Sequence, residues 1–308
     1  MNPRLKLVLI FIIIVSAGYT FIEISKIVNP PILNLSQLNV QSSGGIFYPE
    51  FSPEVKHYAA SCGNEESTFI TLAATDNDVQ ISVNGRDYNS AQNQMAIDNL
   101  QLEDDIQINL SYENYSEKYY VHCIGNDFPK IEIIKKGSGV DSGFLIINPK
   151  VGDSTYLLII DNNGVPRFRR IINGHVTNFN RHFDRRYSYA LRTDSNEFGH
   201  WDNTIVILNS HFEEERRVIT NGLNHTDNHE FLITPNETFI LISYNSAYRD
   251  LSKWGLSDNE LTRDSVIQEL NTEGDIIFEW NSWDHVDVNN CLNHRFPDDY
   301  AHINSVQI

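Results

Sequence analysis

Between residue 46 and about residue 128 the chain alternates apolar and polar positions in short runs. Ser67-Thr68-Phe69-Ile70-Thr71-Leu72-Ala73-Ala74 is one, and Val79-Gln80-Ile81-Ser82-Val83, ending at the turn pair Asn84-Gly85, is another. Ile106-Gln107-Ile108-Asn109-Leu110 and Lys118-Tyr119-Tyr120-Val121-His122-Cys123 follow. Alternate side chains of an extended chain point to opposite faces, so each run predicts a strand with one face buried and one wet. Short strands of this kind between turn signals predict a sandwich of two sheets.

Past Asp127-Phe128-Pro129 the units lengthen. Leu157 to Asp161 runs into Asn162-Asn163-Gly164-Val165-Pro166-Arg167-Phe168, and Thr204-Ile205-Val206-Ile207-Leu208 runs into Asn209-Ser210-His211-Phe212. Val266-Ile267-Gln268-Glu269-Leu270 runs into Asn271-Thr272-Glu273-Gly274-Asp275 and then Ile276 to Trp280. Each unit is an apolar strand, a polar turn and a second strand, and the turns recur at roughly fifty to sixty residues, a period that fits four-stranded propeller blades with loop insertions. Three blades are expected, at about 137–173, 174–222 and 223–283, with a fourth opening at Asp299-Tyr300-Ala301-His302. Three blades and one strand leave a sheet face open, so the 308 residues read as a fragment or one part of an assembly, with C-terminal blades missing. No helical stripe separates the strands, which argues against a doubly wound α/β fold; a short helix is expected between Arg249 and Arg263.

The first 27 residues differ from the rest. Arg4 and Lys6 precede the apolar run Leu7 to Val15 and the small residues Ser16-Ala17-Gly18, the order of an export signal. Tyr19 to Ile27 remains fairly apolar, so residues 7–27 also read as an uncleaved membrane anchor, with about ten to twenty apolar residues. Either way the body is expected to be secreted or extracytoplasmic. Residues 28–45, with Pro30, Pro31, Gly44 and Gly45, read as a linker. The segments expected are therefore 1–27 (signal or anchor), 28–45 (linker), 46–128 (sandwich) and 130–308 (propeller). Asn34, Asn114, Asn224 and Asn236 each begin an Asn-x-Ser/Thr triplet, an N-glycan acceptor in a eukaryotic host. Cys62 and Cys123 flank the sandwich as a disulfide staple would, which leaves Cys291 over.

Charge narrows the partners. Lys and Arg number 23 against 41 Asp and Glu, a formal net charge of -18, which repels a phosphate backbone and argues against nucleic acid. The basic runs Arg167, Arg169, Arg170 and Arg181, Arg185, Arg186 read as solvated surface, although a local cationic cluster would still accept a small anion. No nucleophile elbow, phosphate-binding glycine loop or paired catalytic carboxylate occurs, and neither a cofactor nor a metal is assigned.

The chemistry-bearing residues cluster in two segments. In Asn224-His225-Thr226-Asp227-Asn228-His229-Glu230 the side chains of His225, Asp227 and His229 would point the same way on an extended strand. That would suit a metal site or a carboxylate-oriented histidine for acid–base work; the other reading is a set of structural polar residues bridging blades. His302, from the next blade, is expected near the same axial mouth. His285 and His294 lie in a polar stretch expected to arch over it, and His175 and His182 match the His225–His229 positions loosely.

Residues 130–308 also resemble the exported, β-propeller arylsulfotransferases. The resemblance is carried by Asn224 to Phe231, by Phe278-Glu279-Trp280 with Trp283-Asp284-His285, and above all by Asp299-Tyr300-Ala301-His302-Ile303-Asn304-Ser305. It implies a six-bladed propeller that moves a sulfuryl group from a phenolic sulfate ester to a phenol through a sulfurylated histidine. His229 and His302 then correspond to catalytic histidines, with His225, Asp227, Asn304, His285 and His294 in support. The arginine and nucleophilic histidine of the pattern would follow His302 and have no counterpart within the 308 residues, so transfer by this chain alone is not expected. Residues 46–128 resemble the cadherin-like β-sandwich, through Phe51-Ser52-Pro53-Glu54-Val55-Lys56-His57-Tyr58, Val83-Asn84-Gly85 and Glu117 to Cys123, which implies a spacer. The alternative to an enzyme is an extracellular binding or adhesion propeller for an aromatic or anionic ligand.

Overall fold

A computed structural model describes residues 32–42, 44–62, 67–135, 137, 139–140, 142–195, 201–291 and 299–307. The apolar N-terminus and His294 lie outside the described residues. The chain is all-β, as the alternation predicts, and its described helical elements are four residues or fewer. Among the described residues no helix is long and apolar enough to cross a membrane.

Contacts divide the chain into two compact units, one drawn from Met1–Asp141 with Asp161–Arg167 and the other from Ser142–Ile160 with Phe168–Ile308. The first unit has a three-stranded sheet, β1 (Leu35–Gln41), β4 (Thr68–Ala74) and β7 (Met95–Ile97). Its six-stranded sheet runs β2 (Phe47–Tyr48), β3 (His57–Ser61), β9 (Tyr115–Ile124), β8 (Asp105–Tyr112), β5 (Gln80–Val83) and β6 (Arg86–Asp87). Ile106, Ile108 and Leu110 of β8, at alternate positions, join Tyr58, Ile70, Val83, Tyr119 and Val121 in one core, all fully buried. Burying each such side chain contributes about 1.5–3 kcal/mol. Cys62, just past β3, forms a disulfide with Cys123 of the adjacent strand β9, with Cα atoms 5.1 Å apart.

Residues 28–45 are not simply a linker. Leu35–Gln41 is strand β1, paired antiparallel with β4 from Leu35↔Ala74 to Gln41↔Phe69. A bulge between Leu35 and Gln37 shifts the register, so the buried residues Leu35, Leu38 and Val40 break strict alternation, and the flanking Pro and Gly residues mask the strand.

The second unit holds three sheets of consecutive strands. In the first, β10 (Leu145–Ile147) and β11 (Lys150–Val151) pair successively with β12 (Ser154–Ile160), which also pairs with β13 (Pro166–Asn173). The second is a meander of β14 (Val176–Arg181), β15 (Tyr187–Ser195), β16 (Trp201–Leu208) and β17 (Glu214–Val218). The third repeats it with β18 (Phe231–Ile233), β19 (Phe239–Arg249), β20 (Glu260–Leu270) and β21 (Ile276–Asn281). Leu157 and Ile159 pack with Val176, Phe179, Tyr189, Val206 and Leu208 between the first two sheets. Ala190, Ile205, Ile207 and Val218 pack with Phe231, Ile233, Phe239, Leu241 and Leu270 between the second and third.

One turn device closes a hairpin in each sheet. The Oδ1 atoms of Asp161, Asn209 and Asn271 each accept the N–H groups two and four residues on, at 2.8–3.1 Å. The residue three places on has positive φ in each case: Gly164 at 75°, Phe212 at 63° and Gly274 at 89°. Glycine carries that conformation without steric cost and phenylalanine does not. Phe212 is held there by stacking on Phe168, centroids 3.8 Å apart, and by Tyr187 at 4.6 Å.

Two expectations are corrected. No α-helix forms between Arg249 and Arg263; β19 and β20 stay paired out to Arg249↔Glu260, and their connection holds only a single 3-10 turn, Ser252–Trp254. Residues 299–307 contain no strand among those described, because this segment is tied by side chains rather than by a sheet ladder.

His182 illustrates a histidine used for packing. It is 7% exposed, its Nε2 meets Ser188 Oγ at 2.8 Å, and its ring meets Phe231 edge-on at 5.5 Å. Burial lowers its pKa to about 4 from 6.5. The unfolded chain therefore binds the proton first, and stability falls as pH drops from 6.5 towards 4, by as much as about 3 kcal/mol at the lower end. Urea midpoints of wild type and His182→Gln at pH 7 and pH 4.5 check this: the wild type is expected to lose more stability on acidification than the variant.

Candidate functional site

The site grows from the connection between β17 and β18. Residues 225–227 are pinned by their backbone: Asn203 donates to the Thr226 carbonyl from N and Nδ2 at 3.1 and 3.0 Å, and Thr220 Oγ1 and Ser243 Oγ donate to the His225 carbonyl at 3.0 and 2.5 Å. Asp202 Oδ1 accepts the Thr226 N–H at 2.9 Å. This segment is not an extended strand, so His225, Asp227 and His229 do not share one face. His225 turns inward, with 2% exposure and, among the described residues, no hydrogen bond to either ring nitrogen; its Nδ1 lies 3.6 Å from Asp202. Burial lowers its pKa, so it is a neutral, packed imidazole.

Asp227 is also buried, at 2% exposure, and organises His229. Its Oδ1 accepts the backbone N–H of His229 at 2.8 Å and the ring Nδ1–H at 2.8 Å, with Oδ2 at 3.1 Å from the same nitrogen. A carboxylate held in this way fixes the ring and favours its cation. The His229 pKa is accordingly raised, chiefly by that bond and against the opposing effect of burial. The side chain is 42% exposed, and among the described residues none hydrogen-bonds to its Nε2. Asn178 of β14 reaches the His229 carbonyl at 3.4 Å, so the first strand of one sheet abuts the entry to the next.

His302 repeats the arrangement from a distant part of the chain. Its Nδ1 lies 3.1 Å from both carboxylate oxygens of Asp299, which is 5% exposed. The segment is anchored from below: Ser265 Oγ donates to the Ala301 carbonyl, and Tyr300 OH meets Ser282 Oγ at 2.8 Å and Asp264 Oδ1 at 3.4 Å. Asp264, fully buried, pairs with Arg249, whose guanidinium lies 4.8 Å from the Trp283 ring centre.

The two imidazoles meet. Their ring centroids are 6.1 Å apart and nearly perpendicular at 81°. Tyr244 of β19 lies beside both, stacked on His302 at 4.9 Å and edge-on to His229 at 6.4 Å. Its hydroxyl donates to the Ile303 carbonyl and lies 3.3 Å from His302 Nε2 and 3.4 Å from Asn304 Oδ1. Burial, with the carboxylates of Asp227 and Asp299, raises the Tyr244 phenol pKa, so the phenol keeps its proton. Arg263 adds a buried positive charge 5.9 Å from the Tyr244 ring centre.

The structure thus brings together His229, Asp227, His302 and Asn304. His285 is elsewhere: it is exposed and stacks on Trp280 of β21 at 5.5 Å. Tyr244, Asp299 and Arg263 were not singled out from the sequence. Asp299 had a signal, since an aspartate stands three residues before His302 much as Asp227 stands two before His229. Tyr244 had none, because an aromatic residue at an alternating strand position reads as core. Of the basic runs, Arg170 donates to the Phe212 carbonyl at 2.5 Å and Arg186 pairs with Asp184 at 2.6 Å, so both serve turns. A cavity of about 680 Å³ bounded by Arg216–Leu223, Phe239 and Leu270–Gly274 is lined by neither site histidine. Asn114, Asn224 and Asn236 are exposed, whereas Asn34 is half-buried, its Oδ1 taken by Lys56 Nζ at 2.9 Å.

Fold and site together define an all-β protein with two carboxylate-anchored histidines converging from segments more than seventy residues apart. Residues 191–308 match the family model described as Arylsulfotransferase (ASST). The match includes His229, Tyr244 and His302. No curated protein matches the chain.

Proposed function

We propose that His229 and His302 belong to a sulfuryl-transfer site that, in an intact parent protein, moves the group from a phenolic sulfate ester to a phenol. The observation that carries this is the meeting of two imidazoles, each bonded through Nδ1 to a buried aspartate, within the family-matched residues. Consecutive four-stranded meanders support a propeller-type arrangement for the second unit. The two-sheet first unit fits a cadherin-like spacer on an exported protein.

The chemistry suits these residues. In the first half the imidazole of a third histidine, neither His229 nor His302, bonds to sulfur as the S–O bond to the departing phenolate breaks, and that oxygen takes a proton. In the second half the acceptor phenol oxygen attacks the same sulfur, its proton passes to a base, and the N–S bond breaks. His229, with Nδ1 committed to Asp227 and Nε2 open, is the group that gives and takes the proton. His302, held through Nδ1 by Asp299, faces the same sulfuryl group.

The test is to incubate the intact parent protein, including the blades expected after His302, with 4-nitrophenyl sulfate and phenol. Phenyl sulfate is expected as product, with radiosulfate retained on histidine when acceptor is omitted. Saturable binding of the donor, with no product and no labelled histidine, would overturn transfer and favour a binding module for aromatic anions.

A further inference from the structure

We propose that Tyr244 is the positioning residue of the histidine pair, holding the His302 ring at a fixed angle and spacing to His229. The inference rests on the sulfuryl-transfer reading above and adds a residue to it. His302 lies on a segment without a strand ladder, so backbone pairing does not set its ring plane. Asp299 fixes only one ring nitrogen, about which the imidazole still swings. Tyr244 removes that freedom in two ways. Its ring stacks on His302 at 20° between planes, and its hydroxyl donates to the carbonyl of the next residue, Ile303, with Asn304 Oδ1 in reach. Ring and backbone are therefore clamped by one side chain.

The clamp is rigid because Tyr244 is itself fixed. It has no exposed surface, and it lies mid-strand in β19, opposite Ser265 of β20. Ser265 donates to the Ala301 carbonyl, so facing residues of one strand pair grip the chain on both sides of His302. The same tyrosine ring meets His229 edge-on. Its distance to each imidazole is thereby set from a single strand, and a reacting group between the two imidazoles would meet both at a constant spacing. Errors of about 1 Å in such spacing cost on the order of a hundredfold in rate.

Tyr244→Phe keeps the stacking ring and removes the hydroxyl. Placed in the intact parent protein and assayed for transfer between 4-nitrophenyl sulfate and phenol, this variant is expected to lose about tenfold or more in kcat with little change in donor KM. The ¹⁵N resonances of the His302 ring are expected to broaden or average, because the imidazole samples more than one orientation. Site-specific 3-fluorotyrosine at position 244, which keeps shape and hydroxyl, is expected to restore both; it also serves if the phenylalanine variant folds poorly. Unchanged kcat and an unchanged His302 ring signal in Tyr244→Phe would overturn the proposal. Wild-type transfer that survives His302→Ala would instead overturn the underlying reading.

Discussion

Replacing Cys62 and Cys123 together by alanine is expected to destabilise the first unit by about 4 kcal/mol. The bond spans 61 residues, and in the chain-entropy account closing a loop of that length restricts the unfolded chain by about this amount. Both cysteines also sit in the core, at 5% and 0% exposure, so some packing is lost as well. The loss is large against the few kcal/mol that hold a small domain together. Urea unfolding of the double variant, followed by the fluorescence of first-unit tyrosines, measures it; a midpoint within error of wild type would mean that the bond adds nothing to the sandwich. The second unit is expected to melt as before.

The second large effect concerns the site. Asp227→Asn keeps the size of the side chain but removes the charge that favours the His229 cation. Transfer is expected to fall about a hundredfold or more, the range in which a positioned acid–base group operates. The titration of His229 should report the same change by NMR: above 6.5 in the wild type, where the Asp227 bond outweighs burial, and lower in the variant, where burial acts with less opposition. The sign for stability follows. A raised folded pKa means that the Asp227–His229 pair stabilises the fold fully below pH 6.5 and that this contribution fades as pH rises through the folded value. With the ring 42% exposed, solvent screening keeps that contribution small, so the main consequence is for chemistry. A variant that titrates like the wild type would remove Asp227 from the mechanism.

The legible parts of this molecule were those decided locally. Alternation in Ile106–Leu110 marks β8 because one face of the strand is buried and the other is not. Asp161, Asn209 and Asn271 mark turns because a short polar side chain can hold two backbone N–H groups without help from the rest of the fold. Strand β1 was missed because a bulge disturbs its rhythm between punctuating prolines and glycines. The long β19–β20 hairpin was mistaken for a helical insertion because its outer half, from Asn245 to Arg249 and Glu260 to Asp264, is largely polar; pairing there is settled by Arg249 and Asp264, which lie fifteen residues apart in sequence.

The site divides along the same line. The Asp227–His229 partnership is a contact between near neighbours, and the segment stands out by composition. Its geometry does not, because alternation presumes an extended chain and the hydrogen bonds of Asn203, Thr220 and Ser243 impose another path. That is why His225 faces inward while His229 faces out. The place of Tyr244 depends on where residues 299–304 return, 55 to 60 residues later, and no local pattern announces such a return.

Strands β19 and β20 act as a common bench. Tyr244 on one and Ser265 on the other hold the His302 segment, and farther out Arg249 and Asp264 secure Tyr300. Because β18, next in the sheet, directly follows His229, both imidazoles take their bearings from one pleated surface. Strain that tilts this sheet carries the two rings along as a pair, whereas slippage between these two strands would separate them. Tolerance to change across the molecule is therefore expected to be narrowest along this seam.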